Sequence, residues 1–461
     1  MLWGILLYFL FTIAIGVYAS KKVKNNSDFL LAGRSLPTYI STCALFALWF
    51  GTETILGSSG ETAEKGIQGS LEDPIGASIC LLLVGLFFAR PLYRMNILTF
   101  GDFYKIKYNE TVEIIASIAL VFSYIGWIAA QLFSFGIILN LTSNVPMQVG
   151  IFLGTVAVVV YTFLGGMWSV SLTDFIQTIM ILIGLCTALF FLMAKAEFEA
   201  VYATLPKDFF HFVDEHRPKD YINLFSSLAT IGLGSIPQQD IFQRVMSCKS
   251  EKVAVLSSIL AGFFYLTIGF IPVIIAIYGK YLLAENNLPN VETLVPNAIL
   301  SLTNPITKVL FFGALLSAVM STSSGAILAP ASILSENILN KFTKNSTDSS
   351  RLFLSRISVL LITLTALVFS FFGTSIHTLV GDSSSLSLVC LFVPLVYGLF
   401  SKNPSSLGAI LSIVFGFFVW TFFYLVPNTI NPLFFGLVAS FVAMWVGSFI
   451  EKGKYGYKRS N

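Results

Sequence analysis

Residues 311–338 read FFGALLSAVMSTSSGAILAPASILSENI, an apolar run of helical length with hydroxyl side chains at its centre. Steps of four and three residues place Ser317, Ser321 and Ser324 on one face of a helix, with Thr322 beside them. A dehydrated alkali cation needs neutral oxygen ligands of this kind from several directions. The alternative is that these hydroxyls bond to carbonyls of their own helix or allow neighbouring helices to pack closely.

The composition is that of a membrane protein rather than of a soluble domain. Of the 461 residues, 56% are hydrophobic and only 11% are charged, and the mean hydropathy is +0.82. Polar and turn-rich breaks leave thirteen apolar stretches, each close to the roughly 20 residues that span a bilayer. The predicted spans are residues 2–19, 36–59, 74–95, 112–141, 147–164, 169–194, 221–237, 253–278, 306–335, 352–372, 378–400, 407–426 and 431–450. We therefore expect an all-α polytopic membrane protein.

Basic residues predict the orientation, because cytoplasmic loops retain Lys and Arg. With the first span entering from outside, most of the 27 basic residues fall in inner loops, and acidic residues gather outside at Glu61, Glu64, Glu72 and Asp73. We expect a multi-pass protein of the cell membrane with its N-terminus outside and its C-terminus in the cytoplasm. The net charge of +3 follows from this loop bias and does not suggest nucleic acid as a partner.

Two predicted spans contain residues that interrupt a helix. Gly51 lies at the middle of STCALFALWFGTETILGSSG, residues 41–60, and Gly234 and Pro237 lie in LFSSLATIGLGSIPQQD, residues 224–240. Carbonyls freed at such breaks must find partners at membrane depth, and ions or a solute can serve. The breaks stand five spans apart, which is typical of an inverted repeat with its binding site at the midplane. Glycine-mediated packing is the alternative interpretation.

The sequence shows no constellation of catalytic residues. The 5 Cys residues fall inside or beside apolar spans without metal-ligand spacing, and the 3 His residues are scattered. A membrane-embedded enzyme would need a nucleophile or a metal site. We therefore do not expect an enzyme.

Four segments resemble motifs of the sodium/solute symporter family. They are LAGRSLP at 31–37, GGMWSVSLTDFIQ at 165–177, GSIPQQDIFQRVMS at 234–247 and SAVMSTSSGAIL at 317–328. Their order and their places on the predicted spans match the family over essentially the whole chain, and the third is similar to choline and proline carriers in particular. The resemblance implies the leucine-transporter fold, with 13 transmembrane helices and a 5+5 inverted repeat.

The same resemblance divides the chain into five parts. Residues 1–35 would form an extra N-terminal helix and the first inner loop, and residues 195–220 an outer loop. Residues 36–194 and 221–400 would be the two five-helix repeats. Residues 401–461 would supply two C-terminal helices and a cytoplasmic tail.

The resemblance also implies a sodium site on the second and ninth spans. Its ligands would be the backbone carbonyls of Ala47, Phe50 and Ala318 and the hydroxyls of Ser321 and Thr322. All five groups are neutral oxygens, so the sodium ion would supply the charge and join the two parts of the fold that move in alternating access.

A possible second sodium involves Asp174. Some relatives place a second ion between this acid and serines that match Ser321, Ser324 and the next residue. In this chain the next residue is Gly325, so one hydroxyl is missing. The alternatives for Asp174 are an acid at a helix start and a step on the sodium exit path.

The solute is expected next to the first break. The candidate substrate-binding residues are Trp49, Glu53, Thr54, Tyr124, Trp127, Gln131 and Gln238. A buried Glu53 needs a partner, whether a solute amine, a hydroxyl donor or a proton. Trp49 matches a position that choline carriers use for cation–π contact, whereas Gln238 replaces their second aromatic, which argues against choline itself. Trp127 has the alternative role of packing or interfacial anchor.

Arg34 resembles the arginine at the cytoplasmic gate of proline carriers, and its alternative role is that of an ordinary positive-inside residue. Taken together, the sequence predicts a secondary active transporter that imports a small organic solute with sodium. A proline-like amino acid or a small organic cation is favoured, a sugar or carboxylate is the alternative, and a transporter-like sensor or channel is less favoured. The expected partners are the solute, sodium and the lipid bilayer, in a monomer or weak homo-oligomer.

Overall fold

The fold is all-helical, as the apolar composition predicts. The computed structural model describes residues 2–213, 217–283, 291–343, 347–372 and 375–458. In chain order the helices are α1 (Leu2–Ser20), α2 (Thr38–Trp49), α3 (Glu53–Met95), α4 (Phe100–Lys107), α5 (Glu110–Ser143), α6 (Met147–Met193), α7 (Pro218–Gly232), α8 (Gln239–Ser247), α9 (Glu251–Leu283), α10 (Leu294–Leu302), α11 (Pro305–Phe342), α12 (Asp348–Ser370), α13 (Ile376–Phe400), α14 (Ser406–Leu425) and α15 (Pro432–Lys458). Two shorter helices are Asn26–Leu31 and Phe198–Ala203.

Within the described residues, nine helices are long and apolar enough to cross a membrane, so the chain is a multi-pass membrane protein. The expected count of thirteen spans is not confirmed by this measure. Helix α1 counts only from Leu7, as a shorter apolar helix, and three further predicted spans are lost for reasons of helix length. Helix α6 has 47 residues and contains two of the predicted spans, bent at Gly166, where φ is 49°. Helices α2 and α7, with 12 and 15 residues, are halves of interrupted spans.

The bend in α6 depends on glycine. A β carbon on Gly166 would lie 2.3 Å from the carbonyl oxygen of Phe29, and the positive φ is strained for any other residue. The bend therefore lets α6 pass the Asn26–Leu31 segment and continue toward Asp174. This acid lies well inside the helix and not at a helix start.

Both predicted helix breaks are confirmed. Helix α2 ends at Trp49, the backbone leaves the helical region at Phe50 with ψ 69°, and a wider π-helical turn follows from Glu53. Helix α7 ends at Gly232, and α8 begins only at Gln239 after a series of turns. The two breaks leave backbone groups free for contacts at the centre of the molecule.

Helix α11 lies in the middle of the bundle and packs against α2, α5, α6 and α8. Over the most apolar stretch of α11, 89% of the residues are buried, compared with 28% over the corresponding stretch of α14. Protein therefore surrounds α11 on every side, whereas α14 presents large apolar side chains to its surroundings, as a lipid-facing helix does. The hydroxyl side chains of Ser317, Ser321, Thr322 and Ser324, called here the hydroxyl stripe of α11, consequently face other helices.

Candidate sodium and solute sites

The hydroxyl stripe of α11 meets the break in α2. The Oγ1 atom of Thr322 donates a long hydrogen bond of 3.4 Å to the carbonyl oxygen of Ala47. A β carbon on Gly51 would lie 2.8 Å from the same Oγ1, so glycine allows the two helices to approach. Ala318, one turn earlier on α11, and Phe50, at the end of α2, are both buried. The structure thus brings together Ala47 and Thr322 from the predicted sodium site.

Ser321 has a different partner. Its hydroxyl donates to Oδ1 of Asp174 at 2.5 Å. Because successive residues differ by about 100° around a helix, Ser321 and its neighbour Thr322 point in different directions. The other Asp174 oxygen, Oδ2, lies 3.1 Å from Nη2 of Arg244. These two charged side chains are 0% and 1% exposed, so they form an ion pair inside the protein.

Arg244 is not among the site residues predicted from the sequence, because nothing in the sequence indicates that it is buried. It lies on α8, fully buried, and its Nε donates to the carbonyl oxygen of Ala44 at 2.9 Å. A β carbon on Gly325 would lie 2.5 Å from Nη2 of Arg244. The guanidinium therefore fills the space into which a serine side chain at position 325 would project.

This arrangement bears on the possible second sodium at Asp174, Ser321 and Ser324. The hydroxyl of Ser324 donates to the carbonyl oxygen of Ser321 at 2.9 Å and makes no described bond to Asp174. The carboxylate of Asp174 is already paired with a cation of the protein. In the sequence, a glycine in place of the third serine already indicates that the second sodium site is incomplete. The position of Arg244 beside Asp174 depends on tertiary contacts and is not visible in the sequence.

A small cavity of about 20 Å³, with room for roughly one water molecule, lies beside the break in α2. Its walls are mainly aromatic and apolar, with two carboxylates among them. The lining residues are Trp49, Glu53, Asp73, Ala77, Trp127, Ile231, Ser235, Gln238, Tyr265, Val380, Ser383 and Ser384. Of the predicted substrate residues, Trp49, Glu53, Trp127 and Gln238 line this cavity, whereas Thr54, Tyr124 and Gln131 lie behind its wall.

Side chains of α5 hold Glu53 in place. The Nε1 of Trp127 donates to Oε1 of Glu53 at 3.2 Å, and the Nε2 of Gln131 donates to Oε2 at 2.6 Å. The Oε1 of Gln131 in turn accepts a hydrogen bond from Thr52 at 3.0 Å. Trp127 is buried and bonded to the break, so its position excludes the role of interfacial anchor.

Asp240, on the first turn of α8, orients two aromatic side chains and was also missed. Its Oδ2 accepts a hydrogen bond from Nε1 of Trp49 at 2.8 Å, and its Oδ1 accepts one from the hydroxyl of Tyr124 at 2.5 Å. The residue lies in the GSIPQQD segment, but its partners are distant in sequence. Asp240 therefore connects the break in α2 with the break before α8.

Asp73 is the second acid of the cavity. The sequence interpretation placed it with the outer acidic residues, but the structure buries it to 2% exposure, at a non-helical position inside α3. Its Oδ2 accepts a hydrogen bond from Thr54 at 2.5 Å, and the hydroxyl of Thr54 lies 2.6 Å from that of Tyr265. Its Oδ1 has no hydrogen-bond partner among the described residues.

Arg34 lies away from both sites. It follows the Asn26–Leu31 helix with a φ of 52°, and its Nη2 donates to the carbonyl oxygen of Ile97 at 2.9 Å. Leu36, two residues later, forms a parallel β-bridge with Cys248 after α8. A role of Arg34 in a gate stays a prediction.

Comparisons with known proteins identify the family that the motifs resemble. The model of the Sodium:solute symporter family matches residues 29–416. The chain belongs to this family. The human high-affinity choline transporter 1 is 26% identical over 439 residues, which cover 90% of this chain and 75% of that transporter. The sodium/proline symporter 2 of Staphylococcus saprophyticus is 27% identical over 471 residues, covering 95% and 90%.

Solved structures confirm the leucine-transporter fold. A Na⁺-coupled sialic acid symporter in its substrate-bound outward-open state matches with a TM-score of 0.81 and 17% identity, over 97% of this chain and 96% of that one. The transporter MhsT in complex with L-phenylalanine matches with a TM-score of 0.51 and 14% identity, over 89% and 97%. With the family established, the chain is a sodium-coupled solute symporter of the membrane.

Proposed function

We propose that this symporter imports a small organic solute with sodium bound by the carbonyls of Ala47, Phe50 and Ala318 and the hydroxyls of Ser321 and Thr322. The contact between Thr322 Oγ1 and the Ala47 carbonyl carries this proposal, because it joins α11 to the unwound end of α2. Neutral oxygens from a broken helix and from side chains are the ligands that a dehydrated alkali ion takes in such folds. Ser321 would turn its hydroxyl from Asp174 toward the ion.

Sodium and solute would be coupled through the backbone of α2. Ala47 lies two residues before Trp49, which lines the solute cavity, and Glu53 follows on the other side of the break. An ion that holds this stretch against α11 would stabilise the arrangement in which the cavity is formed. Loss of the ion would release α2 from α11, which is the differential binding that alternating access requires.

The cavity favours a small organic cation or an amino acid such as proline over a sugar or a carboxylate. Glu53 and Asp73 both line it, so the amino or ammonium group of such a solute would meet carboxyl oxygens there. Trp49 and Trp127 offer ring faces to a cation. The related proteins from human and Staphylococcus saprophyticus, which carry choline and proline in their names, support this order.

The finer features follow from the same contacts. Arg244 neutralises Asp174, which supports one sodium per transport cycle. Both candidate sites are built within one chain, which supports a working monomer. The distribution of basic residues supports an N-terminus outside and a C-terminus in the cytoplasm.

The test compares two neighbouring hydroxyls of α11. Thr322→Ala removes a proposed ligand, whereas Ser323→Ala removes a hydroxyl that donates to the carbonyl of Val319 in its own helix at 2.6 Å. Sodium should stabilise the purified protein against thermal unfolding, with potassium as the control cation. Thr322→Ala should raise the half-saturating sodium concentration at least about threefold, since a lost hydrogen-bonding group costs about 1 to 3 kcal/mol. Equal half-saturation in both variants and wild type would refute the site.

A further inference from the structure

Helix α8 has a polar face that the structure buries completely. Gln239, Gln243 and Ser247 are spaced four residues apart, so they lie on one face of this helix. The opposite side is apolar and consists of Ile241, Phe242, Val245 and Met246. All 9 residues of the helix are buried. An amphipathic helix normally turns its polar face toward water, so the burial of both faces needs an explanation.

Polar contacts with three other segments close this face. The Oε1 of Gln239 accepts a hydrogen bond from the backbone N–H of Phe100, at the start of α4, at 2.7 Å, and its Nε2 donates to Oγ of Ser332 on α11 at 3.0 Å. The Nε2 of Gln243 donates to the carbonyl oxygen of Leu30 at 3.2 Å. Water can replace each of these partners, because a hydrogen bond to water is nearly as favourable as a direct one.

One polar atom of this face has no partner in the closed arrangement. The Oε1 of Gln243 is buried and accepts no hydrogen bond from the described residues. Buried amide oxygens normally have a donor, because an unpaired one costs free energy. A helix that stayed buried throughout transport would be more stable with an apolar residue at this position. Gln243 instead fits a helix whose polar face meets water in another conformation.

The polar face begins at the solute cavity and ends beside basic residues. Gln238, immediately before α8, lines the cavity, and Lys249 and Lys252 follow the end of the helix. Basic residues mark the cytoplasmic side in the proposed orientation. A helix of 9 residues is about 14 Å long, which is close to half of the roughly 30 Å hydrocarbon core. The face is therefore long enough to reach from the midplane of the membrane to its cytoplasmic surface.

From these contacts we propose that Gln239, Gln243 and Ser247 line the path by which the solute leaves toward the cytoplasm, in a second conformation that exposes the polar face of α8 to water. This inference rests on the proposed function and assigns the exit path of the same transporter. Opening separates α8 from α4, from α11 and from the Asn26–Leu31 helix. The turns at residues 233–238 let α8 move relative to α7. Sodium opposes the opening, because the ion holds α2 against α11 and α8 packs against both helices.

The experiment measures how fast a water-soluble maleimide labels an introduced cysteine in purified full-length protein in lipid nanodiscs. Gln243→Cys reports on the polar face, and Phe242→Cys, its buried neighbour on the apolar side, is the control. Peptide mass spectrometry reads each position separately from the 5 native Cys residues. Sodium at about ten times its half-saturating concentration lowers the open population roughly tenfold. Gln243→Cys should therefore be labelled about tenfold more slowly in sodium than in potassium, and Phe242→Cys should react slowly in both salts.

Different outcomes separate this inference from the proposed function. If sodium stabilises the protein against thermal unfolding but Gln243→Cys reacts as slowly as Phe242→Cys in both salts, the exit path is wrong and the proposed function stands. Equally fast labelling of the two cysteines would also refute the path, because it would mean that α8 exposes both faces. If sodium neither stabilises the protein nor slows the labelling, the proposed function itself is wrong. Should Gln243→Cys not fold, Ser247→Cys, which replaces one oxygen by sulfur, supplies the same comparison with Val245→Cys as its control.

Discussion

Replacing Arg244 by glutamine should destabilise the protein strongly. The change leaves the carboxylate of Asp174, 0% exposed, without its cation at 3.1 Å, and it removes the hydrogen bond to the carbonyl of Ala44. Removing one partner of a buried ion pair costs about 3 to 5 kcal/mol, because the remaining charge stays buried without compensation. We expect a loss of this size in the free energy of unfolding.

The double variant Arg244→Gln with Asp174→Asn provides the control. With both charges removed, no uncompensated charge is left, so the double variant should recover most of the loss and lie within about 1 to 2 kcal/mol of wild type. The measurement is denaturant unfolding in mixed micelles, read as a double-mutant cycle. A loss below about 1 kcal/mol in the single variant, or a double variant as unstable as the sum of the two single changes, would refute the assignment.

The same variant probes the second cation position. Without the guanidinium, the free Asp174 carboxylate and the Ser321 hydroxyl, which lie 2.5 Å apart, form an acidic site open to sodium. Sodium should therefore stabilise Arg244→Gln more than it stabilises wild type, with a Hill coefficient above that of wild type. Identical sodium titrations in the two proteins would show that Arg244 does not occupy a cation position.

Two further substitutions address the packing of Arg244 and the position of Trp49. Gly325→Ala should lower the thermal unfolding midpoint, because its β carbon would lie 2.5 Å from Nη2 of Arg244. Gly313→Ala, on the same helix, is the control and should leave the midpoint unchanged, since its β carbon meets only an ordinary contact at 3.5 Å. Equal midpoints for the two variants would contradict this prediction. Trp49→Phe keeps an aromatic ring but loses the 2.8 Å hydrogen bond to Asp240. The affinity for the solute should therefore fall severalfold, while the half-saturating sodium concentration stays unchanged. A parallel shift of both quantities would count against separate sites.

Local chemistry in the sequence determined the class of the protein and the places where its helices break. Hydropathy marks a polytopic membrane protein, since long apolar helices satisfy their own backbone hydrogen bonds in lipid. Gly51, Gly234 and Pro237 weaken the helical ladder wherever they lie, so both breaks could be predicted. Helix lengths alone do not count the spans, because two predicted spans follow one another directly on either side of the kink at Gly166.

The partners of the buried charges were decided only by the tertiary structure. Thr322 and Ala47 are 275 positions apart, and Asp174 and Arg244 are 70 apart, so their contacts depend on how whole helices pack. Hydropathy and spacing place Asp73 near a membrane surface, yet the interruption of α3 turns it into the solute cavity. A sequence specifies which charges exist and on which helix face they lie. Which of them meet, and which is left for a solute, is set by long-range packing, because electrostatic pairing depends on distances of a few ångströms across the bundle.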